Sequence, residues 1–176
     1  MRHWHEVEDW LRDCAHDDVV ASGAVRPTLV AFGGAQPLLV ARWRPFGPQE
    51  GGTALGELLT VTTPLGADRL AVAVGGTVSA LDGPPHHPGD ALVIASATCG
   101  EEPATRCTLT PYERDGQRVQ WGLPWVSEAV AGWLPRMLAE AVQRAMTPTR
   151  PSADLAARVL RCLVLGHEVH VPTTRG

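Results

Sequence analysis

Lysine and asparagine do not occur anywhere in this 176-residue chain, and Ile94 is its single isoleucine. These three residue types use AT-rich codons, whereas the abundant Ala, Gly, Pro and Arg use GC-rich ones. The bias is therefore that of a GC-rich, bacterial-type genome before it is functional. Its chemical consequence is firm: every basic side chain other than histidine is an arginine. Schiff-base chemistry, a phosphate-binding Walker-A lysine and a lysine general base are all excluded.

Other absences narrow the field further. The four cysteines (Cys14, Cys99, Cys107, Cys162) are far apart and form no CxxC pair, so there is neither a zinc ribbon nor a dithiol redox motif. No apolar run approaches the ~18 residues of a membrane span. The start, Met1 to Glu6, lacks the apolar segment of a secretory signal. A reduced cytoplasm is the expected setting, with no membrane partner. Ser79 and Ser96 lie in apolar strand-like contexts rather than in a GxSxG elbow. Gly75-Gly76-Thr77 is followed by no helix and so makes no phosphate cradle. A net charge of −4 makes nucleic acid an unlikely partner. The one planar cation–aromatic cluster, Arg42-Trp43-Arg44, reads as a solvated edge strand.

What is present is patterned apolar surface. Trp4, Val7, Leu11 and Cys14 recur at helical spacing, which predicts a helix over about 2–20 closed by Gly23 and Pro27. Residues 28–32 and 38–43 flank Gly33-Gly34-Ala35-Gln36 as a β-hairpin, with Pro37 at the start of its second strand. Thr53 to Leu59 fits a short helix that must end near Pro64. Residues 69–74 and 77–81 read as a second hairpin around Gly75-Gly76, or as one bulged strand. Residues 82–90 form the clearest loop, followed by a buried strand over 91–97. Cys107 to Tyr112 is expected to pair with Gln117 to Trp121 through a Glu113–Gly116 turn, since Asp-Gly suits tight hairpins.

The last third is helical in pattern. An apolar stripe from Val126 to Val142 predicts a helix starting at Pro124, with a kink or a break into two abutting helices at Pro135. A final helix opens at Ser152, with Leu155, Val159, Cys162 and Leu163 facing inward and Gly166 as its stop. The alternating tail 167–171 suits an added strand. Short hairpin connections then imply one α+β domain over 1–176, with a C-terminal helical extension over about 124–166. Its sheet is mainly antiparallel and built from hairpins, with the N-terminal, middle and C-terminal helices packed on one face.

Chemistry-bearing clusters are few. His167-Glu168-Val169-His170 comes nearest to a metal-ligand pattern, but its histidines stand three apart rather than the four of HExxH. His86 and His87 with Asp90 form a second candidate ligand or metal cluster, on the loop. His3 and His5 form a weaker pair. No cofactor is predicted, although these groups leave a divalent metal possible and allow a small metal-assisted hydrolase as the alternative function. The favoured expectation is a binding or assembly module acting as a homodimer. Trp4, Trp10, Trp125 and Trp133 are its candidate interface residues, because tryptophan concentrates at interfaces. The acidic first eighteen residues and the arginine-rich end suggest that the termini attract each other.

Overall fold

A computed structural model describes residues 4–47, 49–78, 89–99, 104–116, 118–127, 132–146 and 154–172. Helix α1 (Trp4–Ser22) is followed by the hairpin β1 (Thr28–Gly33) and β2 (Gln36–Arg42). Helix α2 (Gly51–Leu65) leads into β3 (Arg69–Val78), β4 (Gly89–Thr98), β5 (Ala104–Asp115), β6 (Arg118–Trp121) and the short β7 (Trp125–Ser127). Helices α3 (Trp133–Met146) and α4 (Leu155–Val164) precede a last strand, β8 (Glu168–His170). The fold is α+β: the eight strands form one antiparallel sheet in the order β6-β5-β4-β3-β1-β2-β8, with β7 paired to β5. None of the described helices is long and apolar enough to cross a membrane.

The helices do not share one face. Val7, Leu11, Ala15 and Val19 of α1 pack with Val30, Phe32, Ala71, Ala73, Leu92 and Ile94. The strand residues that alternate with these, Leu29, Ala31, Leu70, Val72, Ala95 and Ala97, pack against α2, α3 and α4. The central strands are thus apolar at consecutive positions, so both faces need a cover. Each leucine sealed in this way contributes roughly 1.5–3 kcal/mol.

Several local expectations hold and others move. The first hairpin turns at Gly34-Ala35, where Gly34 takes a positive φ of 59°. The second predicted hairpin does not form. β3 runs straight through Gly75-Gly76, in unbroken register with β4 from Arg69↔Thr98 to Val78↔Gly89. Neither glycine has a positive φ; a side chain at Gly75 would begin 3.5 Å from Val25, an ordinary contact, and one at Gly76 would begin 3.3 Å from Val93, a tighter one. The β5–β6 hairpin forms, but Asp115 pairs with Arg118, so its turn lies two residues beyond the expected Glu113–Gly116, with Gly116 at φ 60°.

α2 extends past Pro64 to Leu65 and stops at Gly66, in the left-handed region at φ 63°. α3 begins only at Trp133, so Pro135 lies in its first turn, where no backbone N–H is needed, and causes no kink. Trp125 and Val126, expected on that helix, are strand residues paired with Leu109 and Thr108.

Candidate functional site

The C-terminal arm, α4 with β8, gathers a buried polar cluster that joins three elements. β8 adds to β2 through Val40↔His170, Ala41↔Val169 and Arg42↔Glu168, at the edge of the sheet. Gly166, at φ 96°, turns the chain between α4 and this strand. That turn buries His167 beside the end of β2 and the second turn of α2.

Both ring nitrogens of His167 are occupied. The backbone N–H of Arg44 donates to Nδ1 at 3.0 Å, and Nε2 lies 2.7 Å from Glu57 Oε2. Because Nδ1 accepts, the proton of the neutral ring sits on Nε2 and is donated to Glu57; this tautomer follows from the hydrogen-bond network. Arg44 completes the cluster, with Nε 2.9 Å from Oε2 and Nη2 3.2 Å from Oε1 of Glu57. The Arg44 guanidinium holds the Glu57 carboxyl below the usual carboxylate range, and the bond from His167 adds to this against the opposing effect of burial. The same pairing raises Arg44 above the ordinary arginine value.

Two further contacts seat α4 on α2. Cys162 is buried, and its Sγ lies 3.4 Å from the Glu57 carbonyl oxygen. Burial pushes this thiol up, with the Glu57 charge adding to the shift, which makes it a poor nucleophile. Arg158 Nη1 donates to the carbonyl oxygen of Thr60 at 2.8 Å. That carbonyl is the one Pro64 leaves without a helical donor, four residues on. An arginine from α4 therefore fills the gap that a proline makes in α2. The pairing joins residues 98 apart, and only the proline hinted at it.

The remaining sequence candidates do not converge with His167. Glu168 pairs with Arg26, and His170 is exposed on β8. Asp90 is exposed at the start of β4; with burial as the larger cause, its charge helps raise the Tyr112 hydroxyl opposite it. His86 and His87 lie outside the described residues, as does His3, while His5 is exposed on α1. Among the described residues no group of three or more His, Cys, Asp or Glu could hold a metal ion.

The Arg42-Trp43-Arg44 cluster is no solvated edge. Trp43 is buried, Arg42 pairs with Asp18, and Arg44 pairs with Glu57. Of the acids of α1, Asp18 and Glu8 reach the sheet, Glu8 to Arg106 at 3.3 Å, while Asp9 pairs with Arg12 on its own helix. Arg144 pairs with Glu140 on α3, and Arg158 with Asp154, which precedes α4.

With its inner side committed to Leu155, Arg158, Val159 and Cys162, α4 turns other apolar residues outward. Leu160 is 61% exposed, Leu163 47% and Val164 79%, and Cys162 is the only residue of the helix that is buried. Leu163 thus faces opposite to the sequence expectation. Compared with known protein families, curated proteins and solved structures, the chain has no match. The four candidate interface tryptophans are dispersed. Trp4 begins α1 and Trp10 is exposed on that helix, while exposed Trp133 starts α3 on the other side of the sheet and exposed Trp125 lies on β7.

Proposed function

We propose that the chain is a non-enzymatic binding and assembly module that forms a homodimer through the outward face of α4. The observation that carries this reading is the exposed stripe Leu160, Leu163 and Val164 on a helix whose inner side is already anchored. Exposed apolar side chains grouped on one helix face favour burial against a partner. Spacing of three and four residues makes the stripe a narrow seam that an identical antiparallel helix can cover about a twofold axis. A specific dimer hides about 800 Å² per partner, more than one short helix offers. The contact therefore extends from α4 onto Leu165 and the edge of β8. With three residues and the charged Glu168, that edge is too short to recruit further strands in series, which favours a closed pair.

Light scattering at micromolar concentration tests the proposal. The expected mass is about twice that of one 18.8 kDa chain. Leu160→Glu should shift the population to monomer with an unchanged far-UV spectrum, because that side chain lies outside the core. A single 18.8 kDa species at every accessible concentration would overturn the reading.

A further inference from the structure

On the face of the sheet opposite α4, a groove of about 250 Å³ opens between α1 and the hairpin of β1 and β2. Val30, Phe32 and Val40 line it from the sheet, together with exposed Pro37, Trp10 and Glu6. The register puts the strand residues on one face, since Val30 pairs with Val40 and Phe32 with Pro37. Trp10 is 42% exposed, so its ring is open to a partner. The volume lies below the roughly 300–1,000 Å³ of small-molecule sites and suits one large apolar side chain.

Glu6 and Trp10 belong to a longer stripe. Asp13 and Asp17 follow them at steps of three and four residues, which keeps all four on one flank of α1. This flank follows β2: Trp10 and Pro37 line the groove near one end of the strand, and Asp18 reaches Arg42 at the other. Glu8, Asp9 and Asp18 have arginine partners, whereas Glu6, Asp13 and Asp17 have no ion pair among the described residues. Asp13 and Asp17 are exposed, as is Glu6. Glu6 to Asp17 spans about 16 Å at 1.5 Å per helical residue, the length of about five residues of extended chain. An apolar notch beside a row of unneutralised carboxylates fits a ligand that is apolar at one point and positive next to it. The same charges repel nucleic acid and anionic membrane surfaces.

We propose that this groove docks a basic, extended segment of a partner protein. One leucine or aromatic side chain of the segment enters the groove against Trp10, and its arginine or lysine residues lie along Glu6, Asp13 and Asp17. The apolar anchor supplies most of the affinity, while the carboxylates select the sign of the partner and speed its encounter. The α4 seam lies on the other face of the sheet, so this docking does not depend on it.

Fluorescence anisotropy of the full chain with a labelled synthetic peptide tests the site. The probe is about ten residues of arginine and serine around one central leucine. One control replaces each arginine with glutamate, and a second replaces the leucine with glycine. The expected result is one probe bound per chain, at least tenfold tighter than either control. Trp10→Ala should weaken the probe about tenfold with an unchanged far-UV spectrum. Asp13→Asn combined with Asp17→Asn, at exposed positions, should weaken it by a similar factor and flatten its salt dependence. The proposal is overturned if the probe does not bind at 1 mM, if either control binds as tightly, or if either variant binds like the parent. It is also overturned if Trp10→Ala lowers the mass of the unliganded protein in light scattering, which would assign the groove to a second copy of the chain.

Discussion

Replacing His167 with leucine should destabilise the protein by about 2–4 kcal/mol. Leucine can occupy much of the space of the buried imidazole but supplies neither of its two hydrogen bonds. The larger loss falls on the backbone N–H of Arg44, which His167 Nδ1 accepts at 3.0 Å. Left buried without an acceptor, such a group costs about 1–3 kcal/mol. The bond from Nε2 to Glu57, at 2.7 Å, is the second loss; it involves a carboxylate, although Arg44 still pairs with that side chain. For a chain of this size, 1 kcal/mol corresponds to a shift in melting temperature of about 2–4 °C. The predicted drop is therefore about 4–16 °C by calorimetry or near-UV dichroism. His170→Leu, at an exposed position three residues on, is the matched control and should move the midpoint by less than about 2 °C, as surface substitutions do. If the two variants melt together, the buried pair of bonds is not what anchors the arm, and the reasoning fails.

Two further outcomes follow from the same arm. Arg158→Met should cost about 1 kcal/mol, and less in a Pro64→Ala background, because alanine restores an N–H that can take the Thr60 carbonyl; a double-mutant cycle in chemical denaturation reads the coupling, and strict additivity would refute the link. The Glu57 carboxyl is held below its unfolded value near 4.3, so its contribution is fully present above that pH and is lost as pH falls through the lower folded value. Acid unfolding followed below about pH 4.5 should be shallower for Glu57→Gln than for the parent, and parallel curves would contradict the assignment.

Much of the architecture is encoded within a few residues of where it appears. Gly34 and Gly116 turn the chain because φ near 60° is open to glycine and strained for most other residues, and each sits between runs that strand pairing can use. Gly66 and Gly166 end their helices for the same reason. The alternating tail became a strand, since its period matches a pleated edge. The amphipathic spacing of α1 and α4 was equally readable, although for α4 the pattern has two apolar sides and could not say which one the fold would use.

Tertiary structure decided the rest. Gly75-Gly76 looks like a turn in isolation, yet ten consecutive pairings with β4 hold it extended. Trp125 and Val126 carry a helical spacing but pair with β5, whose edge needs hydrogen-bond partners. The placement of α1 opposite the other helices follows from strands that are apolar on both faces, a property of the assembled sheet. The His167–Glu57 contact spans 110 residues, and no local rule relates the two positions. The tail histidines suggested a ligand cluster because sequence shows residue types and spacing; burial and partner geometry, which made His167 an anchor and left Leu160, Leu163 and Val164 outside, exist only once α2, α4 and the sheet edge are packed together.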